Sequence, residues 1–178
     1  VGTLPLFLVL PINDSVEQLY YITPFIGVAL LLTGCMLFVS DRMAPGKRTE
    51  KNMRFRDALI IGLCQCVATI PGLSRSGTTI TAGIATGLDR GFAMKYSFLL
   101  SLPAVLGANL LSFIKALGEE SIELSMVPAY LVGLLAAMLS GIAAISLMKL
   151  IAKKSKFGWF AYYCWGAGLL TIVLSLTF

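Results

Sequence analysis

The sequence predicts an all-α polytopic membrane protein, and three observations carry that class. Of its 178 residues, 57% are hydrophobic and only 13% charged, with a mean hydropathy of +0.86; an ordinary soluble domain has roughly 25% charged residues. The apolar residues gather into runs of spanning length at 20–40, 91–117, 127–150 and 157–178, where about 20 residues are needed to cross a bilayer. Finally, the net charge of +5 is unevenly placed: the loops at 41–57 and 149–156 are basic, while those at 11–18 and 118–125 are acidic. Basic loops between spans mark the cytoplasmic side.

In chain order, residues 1–10 (VGTLPLFLVL) form an apolar run too short to span. With no basic stretch before it, it does not read as a signal peptide. It is expected to be the remnant of a membrane helix cut at Val1, which makes the chain a piece of a longer protein. Tyr20 to Ser40 is the first full span, with Tyr20 and Tyr21 as interface aromatics. The following loop holds Arg42, Lys47, Arg48, Lys51, Arg54 and Arg56 against Asp41, Glu50 and Asp57. Such a loop could bind nucleic acid or acidic lipid, but topology alone accounts for it, and no nucleic acid is expected as partner.

Residues 58–70 (ALIIGLCQCVATI) are apolar but only 13 long, and 80–88 (ITAGIATGL) are shorter still. Both ends of this region adjoin charges that belong on the cytoplasmic side. Two crossings would satisfy that parity, but the arms are too short for them. A re-entrant helix–loop–helix over 58–88 is therefore expected. The third segment, 91–117, carries Pro103 mid-span, where a kink is expected. Segment 127–150 precedes Lys149, Lys153, Lys154 and Lys156, and the last span opens with Trp159, Tyr162, Tyr163 and Trp165 at headgroup level.

Between the two short arms lies Pro71-Gly72-Leu73-Ser74-Arg75-Ser76-Gly77-Thr78-Thr79, with one guanidinium, four hydroxyls and no acid. Arginine in an apolar run is costly unless it faces a cavity, a partner or a ligand. Broken backbone at membrane depth survives only where protein or a water-filled cavity surrounds it. A helix start presents unpaired N–H groups and the positive dipole end, so it favours phosphate. Ser76 or Gly77 is expected to cap a helix over 78–88, and Arg75 can hold phosphate oxygens in a bidentate fork. Against this, Arg75 could snorkel to the interface or pair with a buried acid, and the Ser/Thr cluster could be glue between helices or bond back to the backbone. Thr79, Gly83 and Gly87 form a four-residue stripe that suits close helix packing. Gln65 is expected to hydrogen-bond a neighbouring helix rather than line a cavity. Cys35, Cys64, Cys66 and Cys164 read as small apolar residues, and with no histidine in the chain structural zinc is set aside.

The residues alone lead to a phosphate-type anion held within the membrane. At this point PGLSRSGTT resembles the PGxSRSxxT motif of the undecaprenyl-diphosphate phosphatase family, the bacitracin-resistance phosphatases. IIGLCQCVATIPGLSRSGTTITAGIATGL, KYSFLLSLPAVLGA and the opening GTLPLFLVL resemble that family's run through this region, so the resemblance covers essentially the whole chain. It implies a multi-pass enzyme of the bacterial cytoplasmic (inner) membrane that hydrolyses undecaprenyl diphosphate to undecaprenyl phosphate and inorganic phosphate. It also implies a fold of two interlocked inverted repeats, of which this chain would be the second half. By the same resemblance Arg75 binds the diphosphate with Ser74 and Thr79 beside it as the catalytic set; helix-end geometry adds Ser76, Gly77 and Thr78 as diphosphate-binding. The family's glutamate-rich motif, ending in a Ser-Ser-x-Gly-His run, is not in this sequence. A divalent cation, Mg or Ca, is implied with its ligands in that missing N-terminal half and none here, which leads to the expectation that the chain alone is inactive. The bilayer is the other partner, and a homodimer is left open. The rival reading is a transporter or flippase of phosphorylated prenyl lipid, since broken helices around a midplane anion site are also a transporter pattern.

Overall fold

A computed structural model describes residues 2–9, 19–44, 46–118, 126–153 and 158–177. The acidic segments 11–18 and 119–125, residues 154–157, and the side chains of Lys149 and Lys153 lie outside the described residues. Among the described residues six α-helices follow in order: α1 Thr23–Arg42, α2 Phe55–Val67, α3 Arg75–Ala85, α4 Arg90–Gly118, α5 Val127–Lys153 and α6 Gly158–Thr177. Among the described residues there is no strand. The protein is all-helical and polytopic: α1, α4, α5 and α6 each contain a stretch long and apolar enough to cross a membrane.

Residues 1–10, expected as a helix remnant, instead contain a 3-10 helix, Leu4–Leu8, with Pro5 near its start. Gly2 seats against Gly62 of α2, where any side chain at 62 would strike the Gly2 backbone. A five-residue piece docked this way takes the tighter helix that short segments favour.

α1 starts three residues later than the apolar run and continues through Asp41 and Arg42, past the expected end at Ser40. Arg90, at the start of α4, explains the extension. Its Nη2 donates to the carbonyls of Ser40 (3.2 Å), Asp41 (2.6 Å) and Met43 (2.9 Å), and Nη1 to Asp41 Oδ1 (3.1 Å). A guanidinium at a helix C-terminus satisfies orphan carbonyls and complements the dipole.

The short helices α2 and α3 form a hairpin whose two feet are clasped together. Arg48 donates its N–H to the Gly87 carbonyl (3.2 Å) and accepts from Asp89 N–H (2.8 Å). Its guanidinium grips buried Asp57 at 3.0 and 2.8 Å, while Asp57 also accepts from Arg54 N–H at 2.9 Å. The segments before α2 and after α3 are thus held side by side, next to the C-terminal end of α1. At 1.5 Å per residue, α2 is about 20 Å long and α3 about 16 Å, against about 30 Å for α1. A hairpin that starts at the end of α1 and runs that far turns around inside the bundle. Its tip does so: Gly72 lies against Ile26 and Ala29 of α1. Pro103 does not end α4, which runs through it.

The hairpin packs through Ile61, Ile80, Ala82, Ile84, Leu88, Ala93 and Leu100, a core shared by α2, α3 and α4. On the other side of α1, glycines allow α6 to come close. A Cβ on Gly27 would sit 3.0 Å from the Gly168 carbonyl oxygen, and one on Gly168 2.9 Å from that of Gly27. Trp165 Nε1 donates to the Leu31 carbonyl at 3.2 Å. Of the small-residue stripe, Gly83 does pack against Ala93 of α4, but Gly87 has another job. At φ +90 it closes α3, with Leu88 N–H donating to the Gly83 carbonyl at 3.0 Å, the left-handed stop that glycine supplies.

Gly72 combines φ +88 with no room for a side chain: a Cβ would lie 2.8 Å from both Ala29 Cβ and the Ile26 carbonyl oxygen. Gly72→Ala should cost about 2 kcal/mol or more, from left-handed backbone and overlap together. Thermal unfolding in detergent should show a midpoint about 4–8 °C lower; an unchanged midpoint would contradict this tip geometry.

Candidate functional site

The tip of the hairpin is built around Ser74. Its Oγ accepts from Gly77 N–H (3.1 Å), and its carbonyl accepts from both Thr78 N–H and the Thr78 hydroxyl (2.9 Å each). Ser74 is therefore the N-cap and α3 begins at Arg75. This corrects the expected cap at Ser76 or Gly77 and the expected start at residue 78. The physical reason is that Ser74 has extended backbone and a hydroxyl three residues before an amide with no helical partner. The turn is braced from α1 by the Thr33 hydroxyl, which donates to the Gly72 carbonyl (3.2 Å) and accepts from Ser74 N–H (3.1 Å).

Beginning the helix at Arg75 decides what each sequence-predicted residue does. Gly77 is buried under the cap, where a Cβ would lie 3.1 Å from Ser74 Oγ. Thr78 is buried, and its hydroxyl is tied to the Ser74 carbonyl. Thr79 is 2% exposed, with Oγ1 at 2.9 Å from the Arg75 carbonyl oxygen, 3.2 Å from that of Ser76 and 2.6 Å from Ser97 Oγ. One hydroxyl has one proton; given to a carbonyl, it leaves Thr79 accepting from Ser97. Arg75 and Ser76 are different. No hydrogen bond or ion pair engages the Arg75 guanidinium among the described residues, and the backbone N–H groups of Arg75 and Ser76 stand free in the first turn of α3. Ser76 is exposed, its Oγ 3.4 Å from that of Ser74.

Arg75, Ser76 and Thr79 line a cavity of about 290 Å³ with Gln65 of α2 and Met94, Ser97, Phe98 and Ser101 of α4. Gln65, expected to bond a neighbouring helix, lines this cavity instead, and its Nε2 has no partner among the described residues. Ser97 and Ser101 were not singled out from the sequence. Their signal was present, since two serines four apart share a face of a helix. Ser101 Oγ donates to the Phe98 carbonyl at 2.7 Å.

The site is electropositive because the acids of the hairpin sit at its feet and not at its tip. Asp57 is held by Arg48, and Asp89 Oδ2 accepts from Phe92 N–H at 3.1 Å. What remains facing the cavity is one guanidinium, amide and hydroxyl groups. Such a set suits a phosphate-type anion. It does not fit a divalent cation, which takes carboxylate and carbonyl oxygens, and no cluster of three acidic, histidine or cysteine residues exists among the described residues. A second cavity, of about 330 Å³, lies between α1 and α6, where Arg42 already stacks on Phe38 at 4.2 Å.

A family model described as "Bacitracin resistance protein BacA" matches residues 1–170. The chain belongs to this family. Among BacA-like relatives, an undecaprenyl-diphosphatase of Methanosphaera stadtmanae is 40% identical over 99% of this chain and 63% of its own length. One of Carboxydothermus hydrogenoformans is 38% identical over 97% of the chain and 67% of its own. One of Methanobrevibacter smithii is 42% identical over 99% of the chain and 64% of its own. The chain thus spans about two thirds, or slightly less, of the length of the curated relatives it matches.

Replacing Thr79 by Val should strand the buried Ser97 hydroxyl and cost about 1–3 kcal/mol of stability, with Thr79→Ser recovering most of it. Unfolding in detergent measures this. Intact stability together with lost pyrophosphate binding would instead make Thr79 a direct ligand.

Proposed function

We propose that this chain carries the diphosphate-binding part of an enzyme that hydrolyses undecaprenyl diphosphate, with water, to undecaprenyl phosphate and inorganic phosphate. The observation that carries the reading is the Arg75 guanidinium, unpaired among the described residues, at the start of α3 and lining a cavity inside an apolar bundle. An unpaired guanidinium at such a depth is costly, and an anion is the partner that relieves it. Diphosphate supplies charge and oxygens that match the fork, and the α3 dipole points its positive end the same way. In phosphoryl transfer most of the catalytic effect is positioning and neutralisation of charge on the phosphate oxygens, which is what Arg75 and the first-turn N–H groups offer. Ser74 contributes by setting the helix start, and Thr79 by fixing α3 against Ser97. The relatives' name as diphosphatases supports cleavage over transport.

The prenyl tail, in this reading, lies along the apolar surfaces of α4 and α5, where Leu106, Leu110, Val132 and Leu134 are exposed. A homodimer would cover part of the same surfaces. The proposed location is the cytoplasmic (inner) membrane, with the clasped, basic feet of the hairpin on the cytoplasmic side. A divalent cation would need acidic ligands from outside this chain, and no step is assigned to it.

The test is release of inorganic phosphate from undecaprenyl diphosphate by the native gene product in detergent. Arg75→Ala should reduce turnover by about 10- to 100-fold or more, given 1.5–3 kcal/mol for a charged hydrogen bond. Arg75→Lys should fall between, keeping charge without the fork. Wild-type rates in both variants would remove Arg75 from the reaction, and movement of the lipid between leaflets without phosphate release would favour transport.

A further inference from the structure

Four buried side-chain polar atoms have no partner among the described residues: Ser40 Oγ, Gln65 Nε2, Thr81 Oγ1 and Arg90 Nε. Of these residues only Gln65 lines either of the two cavities. A buried amide N–H without a partner is costly to a folded protein. Gln65 is 1% exposed, on the helix facing α3, and shares its cavity with Arg75 and Ser76. A polar group left unsatisfied beside an unpaired guanidinium has a common explanation, an occupant that accepts from both.

We infer that Gln65 is a substrate-binding residue whose carboxamide N–H donates to an oxygen of the anion held by Arg75. This rests on the phosphate reading of the site and extends it to a second helix. Arg75 and the first-turn N–H groups all belong to α3, whereas Gln65 belongs to α2. An anion accepting from both is gripped by the two arms of the hairpin and located relative to each. The donor is neutral, which has a consequence for selectivity. A glutamate at 65 would oppose the anion and offer no proton while ionised; the carboxamide donates at every pH at which the phosphate is charged. Ser97 does not duplicate it, since its hydroxyl is engaged with Thr79 at 2.6 Å.

The experiment measures binding of inorganic pyrophosphate to the purified chain in detergent, with thermal unfolding recorded on the same samples without pyrophosphate. Gln65→Met keeps the volume and removes the unsatisfied donor. Its affinity should fall about tenfold, while the unfolding midpoint stays level or rises. Gln65→Glu should bind about tenfold or more weakly at pH 8, and the ratio of wild-type to variant affinity should shrink as pH falls and the carboxyl regains a proton to donate. The ratio removes the titration of pyrophosphate itself. Unchanged affinity in Gln65→Met, or a lower midpoint with unchanged affinity, overturns the inference and makes Gln65 structural. A pH-independent ratio for Gln65→Glu also overturns it. The underlying reading fails separately: a wild-type chain that does not bind pyrophosphate refutes the anion site, whereas binding without phosphate release refutes only the phosphatase.

Discussion

One hydroxyl makes the hairpin tip possible. A chain that dips into a membrane and turns back must leave helix, and each backbone group freed there needs a partner that lipid cannot supply. Thr33 meets this need twice, donating to the Gly72 carbonyl and accepting from Ser74 N–H. It does so from the middle of α1, the helix that also anchors α6. With Ser74 N–H held, the Ser74 side chain turns onto Gly77 N–H and α3 can start at Arg75. Had the helix begun at residue 78, as the bare sequence suggested, Arg75 would sit in the turn and its fork would have no fixed direction.

The fate of the arginines shows how the site keeps its charge free. Arg48 is tied to Asp57 at the feet of the hairpin, and Arg90 to Asp41 and the last carbonyls of α1. Both pairs lie at the end of the bundle and hold the feet in place. Lys95 and Glu50 are largely exposed, and such a pair adds little. Arg75 alone among these is carried inward by the hairpin, away from Asp57 and Asp89. Asp57 is held in the clasp, and Asp89 stays at the feet as well, accepting from Phe92 N–H. Fold and function are coupled there: the ion pair that closes the hairpin keeps Asp57 at the feet, away from Arg75 at the tip.

Much of this was legible in the sequence, for reasons that differ by feature. The four spans and the re-entrant hairpin follow from length, hydropathy and loop charge, which are properties of long segments. The chemistry of PGLSRSGTT was legible because a guanidinium and four hydroxyls stand out against apolar neighbours. Finer features were not. Ser74 and Ser76 are both good caps, and only the position of Thr33 on a distant helix chooses between them. Gln65 was read as glue between helices because nothing local says which way a polar residue on an apolar helix points. Ser97 and Ser101 do not stand out in the sequence, because small polar residues are common in membrane helices. Gly87 fitted a packing stripe by spacing, but its positive φ comes from the turn that brings Leu88 beside Arg48.

The most direct test of this account lies in Thr33, which touches no anion. Titrating the purified chain with inorganic pyrophosphate should give near-wild-type affinity for Thr33→Ser, which keeps the hydroxyl. Thr33→Val keeps the shape but loses both tip hydrogen bonds, and affinity should fall about tenfold. Equal affinity in Thr33→Val and wild type would contradict a site made by the braced tip, as would a wild-type chain with no saturable pyrophosphate binding.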